Sequence, residues 1–410
     1  MKKYVIINIS DDSIKFLICK EENKQVEVID SIIEKVNWIK DGVISNLPKA
    51  VEQIKKTKLL LEQKSNFSVD KVFVVVPNTM AKIKSTIGTT QIIDSVNPIT
   101  HVDYTNLIEN IKQQNNTSKY YSVTLTPNRF FIDDKEVYEV IGHAGQKLTV
   151  EGTLISLPKK TFFDYLLVIE KAGISIVDVV VEATADIYAN IVLQDIDKKV
   201  CQVNFGNDRI NIVIVEKGVI RHIQTINKGL NSIVERIQSK LLVSEKNARR
   251  VFEAFPSLVS TTQKEYILEE NSKMVLIKES DISLINQEIM NMLLTQIKDY
   301  VQSMTVDVNS YLFYGEVTNL IGFQKFSQIK LNRPVRINKI KHYGIRNKDM
   351  TSLIGTIEYI KVLEKNKFIA EENYTSIMSQ HNSSSYEEQN YNEKDNKFQF
   401  RNLFKRKVKE

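Results

Sequence analysis

Asn8-Ile9-Ser10-Asp11-Asp12-Ser13-Ile14-Lys15 is the stretch on which the fold turns. A polar turn sits between two β-branched runs, 4–9 and 14–19, and this pattern predicts two strands meeting at a tight connection. The same design returns as Asn204-Phe205-Gly206-Asn207-Asp208-Arg209-Ile210-Asn211, between a run that opens at Val200 and the run 210–215. Further on, the short apolar run 311–314 leads into Gly315-Glu316-Val317-Thr318-Asn319-Leu320-Ile321-Gly322.

Outward from the first turn, another β-branched run covers 26–33, and a helical pattern over 47–61 gathers Val51, Ile54, Leu59 and Leu60. Lys71 to Val76 is then a short strand with a wholly apolar run, Val72-Phe73-Val74-Val75-Val76, closed by Pro77. Continuous apolar strands alternating with helices predict an α/β sheet covered on both faces. Texture changes over 84–173, which reads as a small α+β insertion. It has a helix at 103–113, a hairpin-like pair at 121–133, a turn at Gly142 to Gly145 and a strand at 149–156. A last helix at 160–172 is stopped by Gly173. The second half offers strands at 210–215 and 219–226 and helices at 231–242 and 244–253. A long amphipathic helix at 284–304 carries Ile285, Ile289, Leu293, Ile297 and Val301. The two halves thus repeat one plan.

At 410 residues the chain is too long for one core and predicts at least two lobes. Cys19 and Cys201 lie inside apolar runs, as buried reduced thiols do. The five histidines have no ligand spacing, and no serine or cysteine stands in a nucleophile-elbow pattern. No metal ligand or catalytic residue is therefore assigned. The opening apolar stretch is cut short by Asp11 and Asp12, which argues against a signal peptide or spanning helix and for a cytoplasmic protein. Net charge is +6, and six basic residues fall within 397–409. The body is close to neutral, which argues against nucleic acid as a partner.

In order and spacing, the three loops resemble the two phosphate loops and the adenosine loop of the actin/Hsp70/sugar-kinase superfamily. Ile39-Lys40-Asp41-Gly42-Val43-Ile44, Pro127 with Phe131-Ile132-Asp133, Pro334-Val335-Arg336-Ile337 and the closing stretch from Met350 through Gly355 to Tyr359 narrow the resemblance to the FtsA family. What the resemblance implies is an actin-like two-lobed α/β fold, with subdomain 1A at 1–83 and 174–199 and an inserted subdomain 1C at 84–173. Subdomain 2A would take 200–229 and 305–370, and subdomain 2B 230–304. It implies nucleotide contacts at Asn8, Ser10, Asp11, Lys15, Gly206, Asn207, Asp208 and Asn211 on the phosphate side. On the adenosine side it implies Arg249, Phe252, Gly315, Glu316 and Thr318.

Departures from the family pattern carry chemistry. Asn8, Asn211 and Asn204 stand where the family has aspartates, Ser10 and Glu316 where it has glycines, and Arg249 and Phe252 where it has Glu and Lys. An amide is a poor partner for hydrated Mg²⁺ and a poor general base. Asp208 adds negative charge beside the expected phosphates. ATP is the implied cofactor, Mg²⁺ dependence is expected to be weak or absent, and hydrolysis weak or absent.

From 371 to 396 the composition is Ser, Asn, Glu, Gln and Tyr with few aliphatic residues, as in a flexible linker. Beyond it, Phe400, Leu403, Phe404 and Val408 gather on one side of a helix at 397–410, with Lys405 and Arg406 elsewhere. Aromatic and basic faces suit an anionic membrane surface. The implied function is a cell-division scaffold that tethers the tubulin-like FtsZ to the inner face of the cell membrane and self-assembles into filaments. Two rivals are a PilM-like cytoplasmic assembly protein and an ATPase or phosphotransferase of the same superfamily.

Overall fold

The computed structural model describes residues 2–10, 12–22, 25–40, 42–92, 98–190, 195, 197–259, 265–270, 273–338 and 350–365. β1 (Lys2–Ile9) turns back into β2 (Ser13–Glu22), pairing antiparallel from Lys2↔Glu21 to Ile9↔Ile14, and β3 (Gln25–Lys35) continues the meander. A two-residue pair, β4 (Ile39–Lys40) and β5 (Val43–Ile44), leads to α1 (Leu47–Ser65). Local chemistry sets the ends of this helix. The Asn46 side chain accepts from the Lys49 amide, Pro48 lies in the first turn, where its missing N–H is not needed, and Asn66 ends the helix in the left-handed region at φ 57°. Its buried stripe is Ala50, Ile54, Thr57 and Leu61, at spacings of three and four. β6 (Lys71–Val76) follows, with Val72 to Val76 all buried.

The chain then leaves this sheet to build another. β7 (Lys82–Gln91), β8 (Tyr120–Ile132), β9 (Lys135–Val137) and β10 (Lys147–Pro158) form an antiparallel sheet in the order β7-β10-β8-β9. α2 (His101–Asn115) covers it with Tyr104, Leu107, Ile108 and Ile111. The hairpin expected at 121–133 is instead one long strand, β8. The reversal comes at Asp133 and Asp134, both left-handed (φ 47° and 63°), and pairs β8 with β9. Alternation reads alike for one strand or two, and only the paired aspartates mark the turn. α3 (Lys159–Lys171), followed by Gly173 at φ 78°, returns the chain to the first sheet as β11 (Ser175–Val181) and α4 (Glu182–Asn190).

The second half repeats the first. β12 (Lys199–Phe205), β13 (Ile210–Glu216) and β14 (Val219–Ile226) form the meander. α5 (Asn231–Leu241), α6 (Glu245–Ala254), the hairpin β15 (Glu265–Glu270) and β16 (Lys273–Lys278), and α7 (Glu279–Ser303) come next. β17 (Ser310–Tyr314), a 3₁₀ turn at Glu316–Asn319, α8 (Phe323–Leu331) and β18 (Val335–Ile337) complete the lobe. The two five-stranded sheets run β11-β6-β1-β2-β3 and β14-β13-β12-β17-β18. In each, three antiparallel strands continue into two parallel ones. α7 buries Ile285, Ile289, Leu293, Ile297 and Val301 in the second core, as its spacing predicts.

α9 (Thr351–Lys365) returns to the first lobe and buries Leu353, Ile354, Ile357 and Ile360 against Tyr4, Ile6 and Val75. Gly355 lets it lie on α4: a Cβ there would fall 1.8 Å from the Ala185 carbonyl oxygen. Gly355→Ala should therefore cost about 1–3 kcal/mol, the usual range for overpacking. Urea unfolding measures it, and parental stability would mean that α9 can shift off α4 without loss.

Candidate functional site

Both sheets point their first turn at the same cleft. In the β1–β2 turn the Ser10 amide donates to the Ser13 carbonyl at 2.9 Å, and in the β12–β13 turn the Gly206 amide donates to the Arg209 carbonyl at 2.9 Å. The turns also touch. Asn207 Nδ2 donates to Asp12 Oδ2 at 3.3 Å, and Arg209 Nη1 reaches Thr79 Oγ1, beyond β6, at 2.7 Å. Asp12 accepts from Ser13 at 2.9 Å and from Ser10 at 3.3 Å as well. Burial pushes its carboxyl up, but the nearby Lys15 charge and the hydrogen bonds from Ser13, Asn207 and Ser10 outweigh burial and hold it below the ordinary range.

The middle of the cleft belongs to α4, which was not read from the sequence. Asn78, after β6, accepts from the Ala183 amide at 2.7 Å and so starts the helix. Its first residue, Glu182, is buried. Oε1 accepts from Asn204 at 3.4 Å, and Oε2 from Asn211 at 3.2 Å. One turn on, Asp186 Oδ2 accepts from the Tyr314 hydroxyl at 2.7 Å, and Oδ1 from Ser352 at 2.5 Å. Burial drives the Asp186 carboxyl up to about 6, against hydrogen bonds from Ser352 and Tyr314 and the charge of Lys15. Two carboxylates one helical turn apart after a valine run were the available signal.

The other expected contacts are placed as follows. Asn8 is 1% exposed, and its amide nitrogen has no hydrogen-bond partner among the described residues. Asp208 accepts from Asn231 Nδ2 at 2.7 Å, while Asn231 Oδ1 accepts from Arg249 at 3.1 Å. Phe252 packs against the second core. Gly315 takes φ 89° because β12 passes so close that a Cβ would lie 2.7 Å from the Phe205 carbonyl oxygen. Thr318 donates its hydroxyl back to the Gly315 carbonyl at 2.8 Å, and Glu316 accepts from Asn319 at 2.8 Å. Asp11 and the tail residues Phe400, Leu403, Phe404, Lys405, Arg406 and Val408 lie outside the described residues.

For Mg²⁺ with a triphosphate this arrangement is a poor fit. The Ser10 and Gly206 amides are spent on their own turns, Asn207 holds Asp12, and the α4 carboxylates are engaged by Asn204, Asn211, Tyr314 and Ser352. Among cleft donors, Asn8 Nδ2, Asn78 Nδ2 and the Thr184 hydroxyl are the buried ones without a partner among the described residues.

No family model matches the chain. Known relatives do. The cell division protein FtsA of Streptococcus pneumoniae is 22% identical over 374 residues, covering 89% of this chain and 81% of that one. FtsA of Bacillus subtilis is 21% identical over 376 residues, 87% and 83%. This chain is a divergent relative of FtsA. Solved structures give the same architecture: a PilM–PilN type IV pilus biogenesis complex matches with TM-score 0.59 at 8% identity, over 89% of this chain and 98% of that one. MreB5 of Spiroplasma citri bound to ADP matches with TM-score 0.54 at 12% identity, over 89% and 98%. The fold is actin-like.

Asp186 makes stability depend on pH. Its folded value lies above the ordinary 3.8, so its stabilising share is fully present below pH 3.8 and is lost as pH rises through about 6. Asp186→Asn keeps an acceptor for Tyr314 without the charge. The unfolding free energy of the parent should fall relative to the variant by on the order of 1–3 kcal/mol between about pH 4 and 7. Urea titrations across that window read the difference, and a constant offset would remove Asp186 as its source.

Proposed function

We propose that this protein is an actin-like cell-division scaffold that tethers FtsZ to the inner face of the cell membrane and assembles with copies of itself. The observation that carries this reading is the match to FtsA proteins over most of both chains, joined to a tail of aromatic and basic residues at 397–410. The FtsZ contact would lie in subdomain 2B, roughly Leu230 to Met304, and the insertion that carries the antiparallel sheet β7-β10-β8-β9 would serve contacts between protomers. A PilM-like assembly role is the second reading, favoured by the likeness to the PilM–PilN complex. The tail discriminates, because a ring bound to a membrane-protein peptide does not require its own lipid anchor.

Removal of 397–410 should abolish pelleting with vesicles rich in anionic lipid while leaving the circular dichroism of the body unchanged. High salt should weaken the full-length interaction, since part of it is Coulombic. If the truncated protein pellets as well as the full chain, the anchor is elsewhere and the tether reading fails.

Hydrolysis plays no part in this role. Any nucleotide would have to compete with the turns' own hydrogen bonds for backbone groups near Ser10, Gly206 and Gly315, with weak dependence on Mg²⁺. Asn211 now donates to Glu182 at 3.2 Å, so Asn211→Asp sets two carboxylates face to face. Together with Asn8→Asp it should strengthen the Mg²⁺ dependence of ATP binding, measured by calorimetry with and without the metal. Phosphate release by the parent should stay at background. Rapid Mg²⁺-dependent release would show that other carboxylates serve the metal.

A further inference from the structure

We infer that the two lobes are latched by their own side chains, so that the cleft is closed without nucleotide. The inference does not depend on which partner the protein carries. Three layers of contact lie across the cleft. At the rim, Asn207 donates to Asp12 at 3.3 Å and Arg209 to Thr79 at 2.7 Å. Deeper, Glu182 of the first lobe accepts from both Asn204 and Asn211 of the second, at 3.4 and 3.2 Å. Tyr314 of the second lobe donates to Asp186 of the first at 2.7 Å, and Asn190 Nδ2 to Gln202 at 3.2 Å. At the base the contact is apolar: Val213, Val215 and Ile220 of the second sheet belong to the same buried cluster as Leu157 and Phe162 of the first half, with Ile83 packed against it.

The chemistry of these groups makes the latch self-sufficient. Glu182, Asp186 and Arg209 are each less than one-tenth exposed. Buried charges of this kind are tolerable only while paired, and much of their pairing is supplied from the opposite lobe. Opening the cleft would strip Glu182 of two donors and Asp186 of one, and would break the Arg209 bond to Thr79. A nucleotide that bridged the lobes would have to displace bonds the protein already makes. The closed state is therefore the ground state of the free chain.

Double electron–electron resonance between nitroxides at Lys55→Cys on α1 and Lys240→Cys on α5 tests this, with the tail left in place. The native cysteines interfere little, since Cys19 and Cys201 are buried and burial pushes the Cys19 thiol up to about 12. The parent should give one narrow distance that AMP-PNP with Mg²⁺ does not shift. Glu182→Ala should lengthen and broaden it. If that variant does not fold, Thr79→Val with Asn207→Ala removes the rim bonds at little steric cost and should broaden the distribution on its own. A parent distribution that is broad and narrows when AMP-PNP and Mg²⁺ are added would overturn the inference. So would a narrow distance unchanged in every folded variant, because the apolar base alone would then hold the lobes.

Discussion

Glu182 stands at the first residue of α4, where the last strand of the first sheet gives way to the helix that meets the second lobe. A carboxylate in so buried a place costs several kcal/mol unless donors surround it. Its donors are Asn204 and Asn211, which face each other across the β12–β13 pair. The amide side chains of those two residues and the acid on α4 therefore form one arrangement. An aspartate at either position would set like charges against each other, and an apolar residue would leave Glu182 exposed to its own desolvation. The second turn, the α4 helix and the relative setting of the lobes all follow from this match.

Polar and apolar contacts divide the work of joining the lobes. Burying side chains such as Val213, Val215 and Ile220 is worth about 1.5–3 kcal/mol each relative to exposure. A neutral hydrogen bond contributes about 1 kcal/mol net, and one to a charged group somewhat more. The two kinds of contact are therefore of similar size. The hydrogen bonds have direction, which apolar packing lacks, and they set the angle at which the lobes meet. Their lengths rank them: Tyr314 to Asp186 and Arg209 to Thr79, both 2.7 Å, are well formed, whereas Asn204 to Glu182 at 3.4 Å is near the limit.

The internal repeat explains why the cleft is symmetric in backbone and asymmetric in chemistry. Each sheet carries the same three-strand meander and closes its first turn with the same amide-to-carbonyl bond. In the first turn Ser10 and Asp12 sit beside a lysine. In the second, Gly206 leaves room for a close backbone approach and Arg209 crosses to the other lobe. Acceptors on one side thus face donors on the other, an arrangement that favours closure over two like-charged loops.

Local pattern was enough for most elements. β6 was legible to the residue because five successive apolar side chains end at a proline. α7 was legible from its four-residue apolar spacing, although its first turn is polar and begins earlier, at Glu279. β7 and β11 were missed, as was α4, whose Ala, Thr and Asp content is a weak helix signal. Of the cleft, the sequence by itself determined the loops and the replacement of acids by amides at Asn8, Asn204 and Asn211. Only the tertiary structure decided what those amides do. Glu182 and Asn211 are far apart in the chain and meet because β13 pairs with β12 and α4 crosses beneath them, and no local periodicity records a partner supplied by another lobe.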